Sequence, residues 1–290
     1  MSLRKAEVAK MKAKKIFTTI IYHVLVMGLG FIMIYPVLWM ISGSLRDNKE
    51  ILQGSLDLIP PNWRWDNFSR GWAGFGHVTF ATFFKNSLII SVIATFGTVV
   101  SCAFISYALS RLRFKGRKLW FTIMIGTMLL PGQVVMIPQF LIYHRLNWVG
   151  TYLPLIVPHF FGAPFFIYLM MQFMAGIPRD LDEAAIIDGC SIYSVFTRIV
   201  FPLLKPSLIS TIIIQFYWKW DDYMGPMLYL NRPETYPVSI AIKLFADAAS
   251  TTDYGAMFAM STLSLIPVFL IFLIFNRYLV DGISSSGLKG

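Results

Sequence analysis

Ile177-Pro178-Arg179-Asp180-Leu181-Asp182-Glu183-Ala184-Ala185-Ile186-Ile187-Asp188-Gly189-Cys190, running on through Ser191 to Phe201-Pro202 and Pro206, interrupts an otherwise apolar second half of the chain. Asp180, Asp182, Glu183 and Asp188 crowd the start of what reads as a short helix, where carboxylates suit the positive end of the dipole. Gly189 ends or turns that helix. An amphipathic stretch from Ser191 to Val200 follows before Pro202. Two short helices at a bend, held between apolar runs, form a compact knob with the character of a docking surface.

The rest of the chain says what carries the knob. Of 290 residues 56% are hydrophobic and only 14% charged, with 25 Phe, 8 Trp and 15 Met and a positive mean hydropathy. Such usage suits a lipid solvent rather than water. The length accommodates about six spans of roughly 20 residues each. The net charge of +10 invites a nucleic-acid reading, but the basic residues gather at the ends of apolar runs, as topology signals do. Cys102 and Cys190 lack partners at useful spacing, and His23, His77, His144 and His159 are scattered, so neither a disulfide framework nor a metal site is implied.

Taken in order, residues 1–15 form a basic leader that runs into a span too long to be the apolar core of a cleaved signal. Residues 16–278 hold six spans: about Ile16 to Ile41, Ser87 to Leu109, Leu119 to Tyr143, Tyr152 to Met174, Leu203 to Leu230 and Ala256 to Tyr278. Pro131-Gly132 and Pro138 break the third, as a structural kink or a gate. Residues 42–86, with Trp63, Trp65 and Trp72, read as a folded outer loop and 231–255 as a second one. The knob at 177–206 separates spans four and five, and residues 279–290 form a Ser/Gly-rich tail. No internal repeat is visible, which argues against an inverted-repeat secondary transporter.

Counting places the sides. With the N-terminus inside, inner segments carry six, five, three and two Lys or Arg, and outer ones five, one and two, most of these in the long first loop. The bias puts both termini and the knob in the cytoplasm. The fold class is therefore an all-α membrane protein with six transmembrane helices. Arg111, Arg113, Lys115, Arg117 and Lys118 read as a topology anchor.

Glu183-Ala184-Ala185, then Asp188-Gly189, then Ile199, Phe201 and Pro202, resembles the EAA loop of ABC importer permeases, with Phe201 where Leu is usual. Ser44-Leu45-Arg46, Trp220-Asp221-Asp222-Tyr223 and the closing Gly287-Leu288-Lys289-Gly290 are similar to the carbohydrate branch, in particular the second permease of maltose-type oligosaccharide importers. Asp221 stands where that branch more often has Asn. The resemblance implies a cytoplasmic coupling-helix loop that docks on a separate ATPase through Glu183, Ala184, Ala185, Asp188, Gly189, Ile199 and Pro202. It also implies tail docking by Gly287, Lys289 and Gly290. The implied partners are a second permease subunit, two ATPase subunits, an extracytoplasmic solute-binding protein and a sugar substrate, in a bacterial cytoplasmic membrane. No phosphate loop and no Gly-Lys pair occurs, so ATP-Mg is expected on the partner and no catalytic or cofactor residues on this chain.

Trp218, Lys219, Trp220, Asp221, Asp222 and Tyr223 form the most polar cluster in any span. Ionisable groups there usually face a cavity or pair with one another. The cluster either lines the substrate path or lies at the outer interface with Lys219 paired to Asp222 or Tyr223. Loop 231–255 is either a contact for the binding protein or a plain connector. Function thus reads as ATP-coupled import of a sugar, possibly acidic. The alternatives are a sugar-phosphate or polyol importer and, from another class, an ion-coupled secondary transporter using Lys219, Asp221 and Asp222 as a relay.

Overall fold

The computed structural model describes the backbone of residues 2–54, 57–246 and 252–287, and the side chains of 15–54, 57–246 and 252–276. Among these residues the chain is helical, with a lone bridge between Phe75 and Val78. In order run α1 (Ser2–Gly43), α2 (Asn48–Leu52), α3 (Asp66–Ala73), α4 (Phe80–Arg111), α5 (Arg117–Met128), α6 (Gly132–Arg145), α7 (Leu153–Ile156) and α8 (Pro164–Ala175). Then come α9 (Asp180–Ile187), α10 (Ile192–Val195), α11 (Phe201–Leu203), α12 (Lys205–Trp220), α13 (Met224–Tyr229), α14 (Val238–Leu244) and α15 (Tyr254–Gly287).

Four stretches are long and apolar enough to cross a membrane unaided: Lys15–Gly43, Phe80–Arg111, Leu153–Ala175 and Tyr254–Asn276. Two bent pairs bring the number to six: α5 with α6, at 104°, and Ile192–Leu203 with α12, at 71°. The first bend falls at Pro131-Gly132, because a proline pushes the residue before it out of the helical region and supplies no N–H. The expected fifth span, Leu203 to Leu230, is shorter in the structure. Helix α12 stops at Trp220, and the chain turns at Asp221 before α13. Helix α15 continues to Gly287, beyond Tyr278, where the sixth span was expected to end.

Helix α4 is the axis. Its 32 residues would span about 48 Å at 1.5 Å each, and it packs along α8, α12 and α14. Gly97 allows the close approach of α4 to the 3₁₀ turn Val157–Phe161, since a Cβ there would lie 2.6 Å from Phe160. At one end of α4, Phe80 and Phe83 are fully buried with Val238, Phe245, Ala256 and Met260. At the other, Cys102, Tyr107, Phe166, Met170 and Met174 pack with Ala185, Val195, Phe196 and Val200 of the knob. The knob is therefore part of the bundle's own core.

The first long loop is pinned at the Phe80 end. Arg46 is only 2% exposed, donates to Ser42 Oγ at 3.1 Å and reaches the Asp57 carbonyl. Buried Asn67 donates to the carbonyls of Ser44 and Arg46 at 2.9 and 2.8 Å. Ser44-Leu45-Arg46 thus acts as a knot that closes α1 onto α3. Along α1, by contrast, Ile16 to Ile34 present large apolar side chains that stay exposed among the described residues.

Candidate functional site

Two polar assemblies stand out, at opposite ends of the bundle. In the knob, Asp180, Asp182 and Glu183 occupy the first turn of α9, as the sequence suggested. They do not act alike. The Asp182 side chain is turned inward, where its Oδ2 lies 3.3 Å from Arg111 Nη1, with exposures of 13% and 5%. Arg111 Nη2 also donates to the carbonyls of Met174 and Ile177, at 3.1 and 2.8 Å. One guanidinium thus holds carbonyls at and just past the end of α8 and grips the first turn of α9. Arg111, read from the sequence as a topology anchor, is instead a buried clamp, and its i→i+71 partner gave no local signal.

Gly189 adopts φ +83°, a left-handed conformation that disfavours other residues. Cys190 N–H reaches the Ala185 carbonyl at 2.9 Å and Gly189 N–H reaches Ile186 at 3.0 Å. This is the paired-bond Schellman stop, in which an apolar contact joins the residue after the glycine to the last turn. Cys190 fills that role beside Ala185 in the knob-end core. Ser191 then caps α10, its Oγ accepting from Ser194 N–H at 3.2 Å, and Tyr107 OH bonds the Ile192 carbonyl at 3.2 Å.

These bonds decide which predicted residues face out. Glu183, Ala184, Asp188, Gly189 and Pro202 are exposed, whereas Ala185 is buried and Ile199 packs on the core. Around the exposed acids stand Ile186, Ile187, Ile192 and Tyr193, exposed by 54%, 85%, 54% and 66%. The motif pattern does not name these four; the 3.6-residue phase relative to Ala185 points Ile186 and Ile187 away from its face, whereas Ile192 and Tyr193 belong to the next helix, past the turn at Gly189. Of the expected tail residues, Gly287 ends α15 and Lys289 and Gly290 lie outside the described residues.

The second assembly surrounds the turn after α12. Lys219 Nζ lies 2.9 Å from Asp222 Oδ2, and Asp222 Oδ1 accepts the Gly225 N–H at 3.0 Å. The pair lines a cavity of about 430 Å³ together with Gln133, Gln139, His159 and Tyr229. His159 Nδ1 lies 3.1 Å from Gln215 Nε2. An amide nitrogen can only donate, so Nδ1 accepts and the imidazole proton sits on Nε2. His159, dismissed as a scattered histidine, belongs to this wall, as do the two glutamines from the broken third span.

The remaining predicted path residues are dispersed. Trp218 packs on Phe165 and Phe166, while Trp220 is buried on Phe216 and donates to the Ser264 carbonyl at 3.0 Å. Asp221 is exposed, and Tyr223 lies beneath the Lys243 ammonium, 3.3 Å from its ring centre. Only Lys219 and Asp222 of the six reach the cavity. Loop 231–255 is partly folded: Asn86 holds the carbonyls of Glu234 and Tyr236, Glu234 pairs with His77 at 2.8 Å, and α14 is buried against α4. Residues 247–251 of that loop lie outside the described residues.

With this geometry in hand, comparison with known proteins gives four concordant results. A family model described as the binding-protein-dependent transport system inner membrane component matches residues 95–285. The arabinooligosaccharides transport system permease protein AraQ of Bacillus subtilis is 30% identical over 266 residues, 91% of this chain and 93% of that protein. The trehalose/maltose transport system permease protein MalG of Thermococcus litoralis is 32% identical over 265 residues, covering 90% and 94%. A crystal structure of a bacterial ABC transporter importing the acidic polysaccharide alginate shares the fold, with TM-score 0.79 and 22% identity over 91% of this chain and 96% of that one.

Proposed function

This chain belongs to the binding-protein-dependent transport system inner membrane component family and is a permease of a sugar or oligosaccharide ABC importer; from that premise we propose that its knob transmits a partner ATPase's cycle to the polar cavity at the other end of the bundle. The carrying observation is the rigid presentation of Glu183, Ala184 and Asp188 within an apolar rim, on a segment tied to α4 by Arg111 and Asp182. Charged groups ringed by exposed apolar side chains suit a protein partner. Ala184 leaves the outer face of α9 shallow, and Ile187 and Tyr193 supply anchors. In this reading the knob and both chain termini are cytoplasmic, as the basic-residue count favours. Helices α1 and α15 enter the loop end by their C-terminal and N-terminal ends respectively, which is consistent with it.

Its partners in this proposal are a second permease, two ATPase subunits that hold ATP-Mg, and an extracytoplasmic solute-binding protein met through loops 42–86 and 231–255. The uncovered apolar flank of α1 and the outer side of α5 and α6 suit the second permease and lipid. The membrane is the bacterial inner membrane. The tail at Gly287, Lys289 and Gly290 is proposed to reach the ATPase pair. Within the cavity, Gln133, Gln139, His159 and Asp222 offer hydroxyl-binding donors and acceptors, and Tyr229 a ring face for stacking. Because Asp222 neutralises Lys219, the cavity suits uncharged polyhydroxyl groups better than carboxylates. The ion-coupled alternative is set aside: its proposed relay is dispersed, with Asp221 on the surface and Lys219 already paired with Asp222.

Glu183→Lys tests the reading. The variant should remain in the membrane and keep the bundle intact, while ATP-driven uptake of the binding protein's sugar into proteoliposomes falls at least tenfold and the ATPase no longer co-purifies. Normal uptake with Glu183→Lys would sink the coupling role.

A further inference from the structure

A second cavity, of about 270 Å³, opens where the last turn of α4, the first turn of α5, the end of α8 and the lead into α9 converge. Three guanidiniums line it: Arg111, Arg117 and Arg179. Arg117 Nη2 and Arg179 Nη2 both donate to the Ser110 carbonyl, at 3.4 and 3.1 Å. That arrangement fills the two lone pairs of one oxygen while using a single N–H from each fork of five. Among the described residues Arg111 has a carboxylate partner in Asp182, whereas Arg117 and Arg179 have none.

Independent observations point to a missing acceptor. The buried Ser110 Oγ has no hydrogen-bond partner, and within the Arg111–Asp182 pair, whose Arg111 side chain is 95% buried, Arg111 Nε and Asp182 Oδ1 are each left without one. Buried polar atoms are seldom left so. Arg117 is also the first residue of α5, where free N–H groups and the positive dipole end already disfavour a cation. With Arg111 paired to Asp182, half-buried Arg117 and exposed Arg179 bring two guanidiniums without a carboxylate partner among the described residues to that place, which favours an anion beside them. Tyr168 and Gln172 add neutral donors to one side of the cavity, and Phe121 and Met171 an apolar shelf to the other.

We propose that this cavity binds a phosphate-bearing anion, held by Arg117 and Arg179 in the bidentate manner that guanidiniums favour. The source is either the headgroup of an anionic lipid, whose chains would rest on Phe121 and Met171, or a free phosphate. The inference rests on the cavity and does not depend on how the knob couples.

The test uses the assembled importer purified in detergent, with native mass spectrometry of added phosphatidylglycerol against phosphatidylcholine, and inorganic phosphate as probe and competitor. Selective phosphatidylglycerol binding that Arg117→Gln weakens about tenfold, the worth of one charge-assisted hydrogen bond, and that Arg117→Lys, which keeps the charge but not the fork, restores only in part, supports a lipid source. Binding of inorganic phosphate with the same dependence on Arg117 supports a free anion. Should Arg117→Gln fail to assemble, Arg179→Gln replaces it in the same assay. Failure of both probes to bind, or binding unchanged in Arg117→Gln and Arg179→Gln, overturns the proposal.

Discussion

The Arg111–Asp182 pair and the Lys219–Asp222 pair are both sparsely exposed ion pairs, yet they are built in opposite ways. The first joins α4 to α9 across 71 positions and draws two backbone carbonyls into the same guanidinium. The second closes one turn between neighbours three apart, and its carboxylate is shared with the Gly225 N–H. A long-range pair fixes one element against another; a local pair fixes only the shape of its own turn. The knob is accordingly held as part of the core, while the cavity wall depends on α6, the segment from Pro154 to His159 and α13 each being in place.

Breaking the first pair should have the largest effect. Asp182→Leu leaves the Arg111 guanidinium buried beside an apolar group, a change that costs about 3–5 kcal/mol. The expected outcome is a sharp fall in the melting temperature of the purified importer and loss of ATP-driven uptake. If stability and uptake both survive, the clamp is not what holds the knob. Asp222→Asn should do less, because an amide oxygen can still accept from Gly225 and Lys219 is half-buried: about 1–3 kcal/mol, as for one hydrogen bond to a charged group. Its mark should be on substrate, with uptake reduced while ATPase association stays normal. A variant that loses the ATPase but keeps uptake affinity would reverse the contrast drawn between the two pairs.

The smallest effect belongs to the loop end, where Glu234 and His77 meet in solvent. The Glu234 carboxyl is held below its usual range, first by its own backbone N–H and then by the His77 side chain. A depressed carboxyl contributes stability that is present above its unfolded pKa and lost as pH falls through the folded one. Glu234→Gln should therefore differ slightly from wild type at neutral pH and converge with it in acid, as read by melting curves across the acid range. A difference that persists or grows at low pH would refute that account.

Much of the knob was legible before the fold. Asp180, Asp182 and Glu183 mark a helix start, Gly189 its stop and Ser191 the next cap, because capping is governed by groups within a few positions of each other. Cys190 gains its explanation from the same local geometry. The break at Pro131-Gly132 was equally visible, since proline acts on its own neighbours. Asp182 shares a helical face with Ala185, three positions on, whereas Glu183 does not; what was not visible is the partner of Asp182, Arg111, 71 positions away. Likewise His159, Gln133 and Gln139 carry no shared pattern, and the six-residue polar cluster looked continuous although only Lys219 and Asp222 face the cavity.

By itself the sequence determined a multi-span helical chain, its sided basic charge and the bent acidic knob between the fourth and fifth spans. Those features depend on hydrophobic run length, on proline and glycine, and on caps, all of which act over one or two turns. Only the tertiary structure decided that Arg111 clamps the knob, that Ser44 and Arg46 tie α1 to α3, and that Arg111, Arg117 and Arg179 line one cavity. Each of these is a meeting of residues far apart in the chain. Their partners are selected by the packing of whole helices, on which no local pattern bears.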